Sequence, residues 1–138
     1  VTGPVLNSAY LYGTGFGTSI VLAGGTTNAP YSQPTGNNSP TDFRMDLTFN
    51  ENIKPYGTAT IQQNGVVLEV INLQTGVGTK GGSVYFQSGA STNDNAIFGL
   101  NFGNSFAGST LTTVTLSGFQ DVAGNLLNGG ADKSITFT

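Results

Sequence analysis

Seven carboxylates, with neither a histidine nor a cysteine beside them, bound the chemistry open to this 138-residue chain. Without imidazole or thiol, Ser/His/Asp triads, cysteine nucleophiles and transition-metal sites built on those ligands are excluded. Asp42, Asp46, Glu51, Glu69, Asp94, Asp121 and Asp132 could still supply an acid pair for glycoside hydrolysis or oxygen ligands for a hard cation. The chain has no tryptophan and little aromatic clustering to build a sugar subsite, so catalysis is not expected. Calcium takes about six to eight oxygen ligands, and extracellular modules use weak sites for it. Glu51, Asp121 and Asn125 are the first candidates for such a site, with Asp42 or Asp132 to complete it. The competing reading is that Asp121 and Asn125 simply fix a turn. Asn93-Asp94-Asn95 divides the same way, between a polar turn and an oxygen-rich cation loop.

Strands must carry these residues, because period-two alternation dominates and no segment has a helical period. From Phe43 to Asn50, Met45, Leu47 and Phe49 face one way while Arg44, Asp46 and Thr48 face the other. Gly57–Gln63 and Val66–Asn72 flank Asn64-Gly65, a dipeptide that suits the two positive φ angles of a type I′ hairpin turn. Further strands are expected at Val5–Tyr12, Gly17–Ala23, Ser83–Ser88, Ala96–Phe102, Thr110–Gly118 and Ser134–Thr138. Val84, Phe86, Phe98, Leu100, Phe102, Val114 and Leu116 form their inward faces. Gly13-Thr14-Gly15-Phe16-Gly17 lacks the spacing of a dinucleotide fingerprint and reads as a bulge or corner. About nine short strands predict an all-β antiparallel sandwich or barrel.

Only 8% of the residues are charged and 37% are hydrophobic, so the surface is neutral and rich in hydroxyl and amide groups. A net charge of −3 with four basic residues offers no patch for nucleic acid or an anionic membrane. No apolar run approaches the roughly 18 residues needed to cross a bilayer as a helix. Scarce charge with abundant Thr, Asn and Gly points to a secreted or cell-surface protein. Asn37-Asn38-Ser39 matches a glycosylation acceptor, although Pro40 follows it.

Met45-Asp46-Leu47-Thr48-Phe49-Asn50-Glu51-Asn52-Ile53, followed by Ser117-Gly118-Phe119-Gln120-Asp121-Val122-Ala123-Gly124-Asn125-Leu126-Leu127 and a closing Ile135-Thr136-Phe137-Thr138, resembles the bacterial Ig-like domains of S-layer proteins and large surface adhesins. The resemblance covers residues 45–138, and its most distinctive part is the Asp-x-Ala-Gly-Asn turn before the last strand. It implies an immunoglobulin-like antiparallel β-sandwich of about seven to nine strands within a multidomain or polymeric surface protein. In the family pattern Glu51 closes its strand at the same end of the sandwich as the turn.

The N-terminal part departs from that pattern. Two strands and a polar, proline-bearing stretch precede Met45, so residues 1–138 read as one domain in which 1–23 is an exchangeable strand segment and 24–42 a loop or tether. Ser83–Ser88 and Thr110–Gly118 carry none of the Lys, Pro or inward charge that guards an edge strand, and are either partner-covered edges or central strands. The function expected is that of a non-catalytic extracellular structural subunit that self-assembles into a surface layer, filament or tube by β-strand addition. Its partners are then copies of itself or other surface domains. The alternative is an adhesin module that binds carbohydrate or another surface ligand.

Overall fold

A computed structural model describes residues 3–13, 16–20, 22, 43–54, 56–86, 95–101 and 110–138. The tether at 24–42, Asn93-Asp94, Phe102 and the sequon lie outside these residues.

The strands are β1 (Leu6–Gly13), β2 (Phe16–Ile20), β3 (Phe43–Lys54), β4 (Thr58–Gln63), β5 (Val66–Asn72), β6 (Val77–Gly78), β7 (Ser83–Phe86), β8 (Asn95–Asn101), β9 (Thr112–Ser117), β10 (Gln120–Asp121) and β11 (Lys133–Phe137). Every ladder is antiparallel. The order β11-β9-β4-β5 forms one layer, and β7-β8-β3-β1-β2, with β10 on the far half of β3, forms the other. The two-residue β6 joins the layers, and β2 and β11, the ends of the path, come into contact. The molecule is an antiparallel β-sandwich.

Alternation explains the core. Met45 and Leu47 on β3, Ala59 and Ile61 on β4, Val114 and Leu116 on β9, and Ile135 and Phe137 on β11 are all buried. Phe49 and Phe119 meet between the layers with ring centroids 5.9 Å apart. Each buried large aliphatic or aromatic side chain contributes about 1.5–3 kcal/mol relative to exposure. With no cysteine in the chain, this packing and the ladders hold the fold without a disulfide.

Two expectations change. Gly13 pairs with Phe16 in an unbroken β1–β2 register, so the glycine-rich stretch joins a hairpin and is not a bulge or corner within one strand. β3 does not end at Asn50 or Glu51. It runs to Lys54, because Ile53 is fully buried and pairs with Asp121 of β10. β6 and β10 are too short for any sequence period to reveal. β9 lies between β4 and β11, so of the two readings of Thr110–Gly118 the central strand is the observed one.

Asn64 at φ 50° and Gly65 at φ 82° form the expected turn, and Gln63 pairs with Val66 across it. A Cβ on Gly65 would meet nothing within 4 Å, whereas one on Gly57, at φ +95°, would strike the Ser117 carbonyl oxygen. Gly65→Ala is therefore expected to cost about 1–2 kcal/mol from the left-handed backbone alone. Gly57→Ala, which adds a backbone collision, should cost roughly 3 kcal/mol or more. Urea denaturation of both variants checks this order, and equal losses would contradict it.

Candidate functional site

The corner between β10 and β11 gathers two of the three proposed cation ligands. Asp121 is buried and its carboxylate is engaged: the Asn125 backbone N–H donates to Oδ1 (2.8 Å) and Asn125 Nδ2 donates to Oδ2 (2.9 Å). Backbone bonds from Asp121 N to Asn125 O (2.9 Å) and from Gly124 N to Asp121 O (3.1 Å) close the same loop. Gly124 supplies the left-handed residue at φ 96°. The Asp-x-Ala-Gly-Asn motif is thus a structured corner, as its residue types require. The Asn125 side-chain bond, chiefly, and backbone bonds from Asn125, Ala123 and Gly124 hold the Asp121 carboxyl below its ordinary value of 3.8, against the opposing effect of burial.

Glu51 is half-buried on β3, two residues before the Ile53 that faces Asp121. Asp132 is exposed, and Asp42 lies outside the described residues. Among the described residues no three Asp or Glu side chains converge as a metal site would require. Asn125 presents an N–H donor toward Asp121, which a cation placed between the two would meet instead of a lone pair.

A second carboxylate, missed at the sequence level, is more deeply placed. Glu69 is fully buried. Its Oε2 accepts from the Lys80 backbone N–H (2.6 Å) and the Thr79 hydroxyl (3.2 Å), and its Oε1 accepts from the Gly82 N–H (3.1 Å). Thr79 in turn accepts from the Val70 N–H at 3.1 Å. Glu69 therefore anchors the loop that links the two layers through β6. A Cβ on Gly78 would collide with the Glu69 carboxylate, so glycine is needed there for close approach. One sequence signal was available: a lone acid in phase with Ile71, ten residues ahead of a glycine-rich loop. The bulge that places it inward was not legible. Between Ile61 and Gln62 the β4–β5 register slips past Leu68, so Glu69 faces buried Ile61 while Val67 turns outward and is 51% exposed.

The remaining charged pair is Arg44 with Asp46, whose Nε to Oδ1 distance is 3.1 Å on the outer face of β3. Among the described residues, all three buried carboxylates are thus bonded within the protein. Two strand edges lack a ladder partner, although β2 and β11 touch. β2 pairs only with β1, and β11 only with β9, among the described residues. An open groove of about 730 Å³ runs between Gly3–Leu6 and Gly124–Gly129, with Lys133 at its side.

Comparison with protein-family models, curated proteins and solved structures returns no match.

Glu69→Ala leaves three donors around the loop without their acceptor and should destabilise the fold by about 3 kcal/mol, while Glu69→Gln, which keeps the shape and one oxygen, should cost roughly half as much. Chemical denaturation compares the two, and a neutral Glu69→Ala would contradict the anchoring role. Asp121 makes an acid-side prediction. Its folded-state value is depressed, so its contribution is fully present above the unfolded value and is lost as pH falls through the folded one. The Tm gap between wild type and Asp121→Asn should be constant at neutral pH and shrink only as pH drops below about 3.8.

Proposed function

We propose that this protein is a non-catalytic, extracellular structural subunit that assembles with copies of itself into a surface layer, filament or tube, with sheet edges as the joining surfaces. The observation that carries this reading is the β2 edge, which touches β11 but has no second ladder partner among the described residues and lies in an uncharged stretch, the first charged side chain of the chain being Asp42. Soluble monomers ordinarily guard such an edge with Lys, Pro or inward charge. Catalysis is disfavoured by the same side-chain inventory, since the buried carboxylates are committed to Arg44, to the Thr79–Gly82 loop and to Asn125. The bacterial Ig-like S-layer and adhesin domains that residues 45–138 resemble work in assemblies of this kind. Calcium at the β10–β11 corner, with Glu51, Asp121 and Asn125, is a secondary proposal.

The groove beside Gly3–Leu6 favours a second reading, an adhesin module that takes a carbohydrate or another surface ligand there. Electron microscopy of the purified protein at high concentration, with calcium and with EDTA, separates the two. Ordered polymers are expected. A persistent monomer that retains glycans on an array would establish the adhesin reading instead. Polymer formed only with calcium would add the metal site to the assembly, and identical melts in calcium and EDTA would remove it.

A further inference from the structure

We propose that copies of this chain join by exchanging the β1–β2 hairpin, each hairpin leaving its own β3 and pairing with the β3 of a neighbour in the same register. This rests on the assembly reading above and names the element that performs it.

The slot is defined by the contacts of the closed molecule. β1 pairs along β3 from Leu6 with Phe49, through Ser8 with Thr48 and Leu11 with Met45, to Gly13 with Phe43. The hairpin contributes buried Leu6, Ala9, Leu11 and Ile20 to the core beside buried Met45, Leu47 and Phe49. β3 therefore cannot stand without a hairpin, but nothing in these pairings requires that hairpin to come from the same chain. A second copy offers an identical one, and exchange replaces every lost contact with its equivalent.

Three features make this element the separable one. It lies at the end of the strand order, so its departure breaks the β1–β3 ladder, the adjoining Val5–Asn50 bonds, the contact of β2 with β11 and core packing, leaving the order from β11 to β3 continuous. No charged side chain occurs before Asp42, so the transfer requires no ion pair of the hairpin to be broken or carried. Its covalent link to β3 is residues 21–42, an uncharged stretch up to Asp42 that carries three prolines. Extended, that length reaches up to about 70 Å, whereas a domain of this size is roughly 35–40 Å across. The link spans the distance to a neighbour's β3 with length to spare.

Closed and exchanged forms share their contacts, so the connection decides between them. The link holds its own hairpin at an effective concentration of about millimolar. Dilute chains keep the hairpin at home, and exchange takes over as the local concentration of subunits reaches that range. Reciprocal exchange closes a dimer, and sequential exchange extends a chain.

The absence of native cysteine makes the test direct. Ser8 is exposed, and its register partner Thr48 is half-buried. Tagged Ser8→Cys chains and untagged Thr48→Cys chains are mixed, assembled at high concentration and oxidised. A disulfide between a tagged and an untagged chain is expected in the assembled fraction and not in the monomer. In the double variant, oxidation of the dilute monomer locks the hairpin onto its own β3. The locked chain should remain monomeric by electron microscopy and assemble once reduced. Polymers that form without the mixed cross-link, or from the locked chain as readily as from the reduced one, overturn exchange while leaving self-assembly in place. A wild-type chain that stays monomeric under the same conditions overturns both. If the double variant fails to fold, the mixed cross-link still decides.

Discussion

β3 has twelve residues, and hydrogen bonding along both of its edges is the constraint on which the rest of the sandwich depends. Met45, Leu47 and Ile53 on this strand are fully buried. Their backbone must be paired wherever water is excluded, since an unpaired buried amide costs a large part of a domain's net stability. Three segments from different parts of the sequence meet this demand. β1 covers one edge of the first half and β8 the other; beyond the irregularity after Thr48, β10 takes over the edge left by β1, while Asn95, the first residue of β8, keeps the other. The handover explains why the strand continues past Glu51.

The same constraint connects the acids to the fold. Asp121 sits where β10 meets Ile53, and its bonds to Asn125 hold the corner that returns the chain toward β11. Glu69 does the corresponding work at the other crossing, tying β5 to the loop around β6, where the layers join. Asp46, on the outer face of β3, is bonded to Arg44. In a chain with so few charges, Glu69 and Asp121 act as backbone anchors. A carboxylate accepting several N–H bonds is a strong way to fix a loop that lacks disulfide or metal support.

The open edges and the hairpin follow from the same arrangement. A strand needing both edges covered makes whatever lies along it indispensable, and β1–β2 is joined to β3 by the longest stretch between consecutive described strands. Indispensable pairing with a long connection is the condition under which one copy serves another, because the ladder responds to register and not to chain identity.

Alternation in Phe43–Asn50, Val66–Asn72 and Thr110–Gly118 determined the strands and their buried faces, and Asn64-Gly65 and Asp121–Asn125 determined two turns. These are local properties, set by side-chain period and by the φ angles that glycine and asparagine tolerate. Period alone could not decide where β3 ends, that β9 is central, that the stretch from Gly13 to Gly17 joins a hairpin, or that the bulge at Leu68 turns Glu69 inward. Each depends on which distant strand supplies the facing backbone, and a one-residue slip in that pairing exchanges one face of a strand for the other.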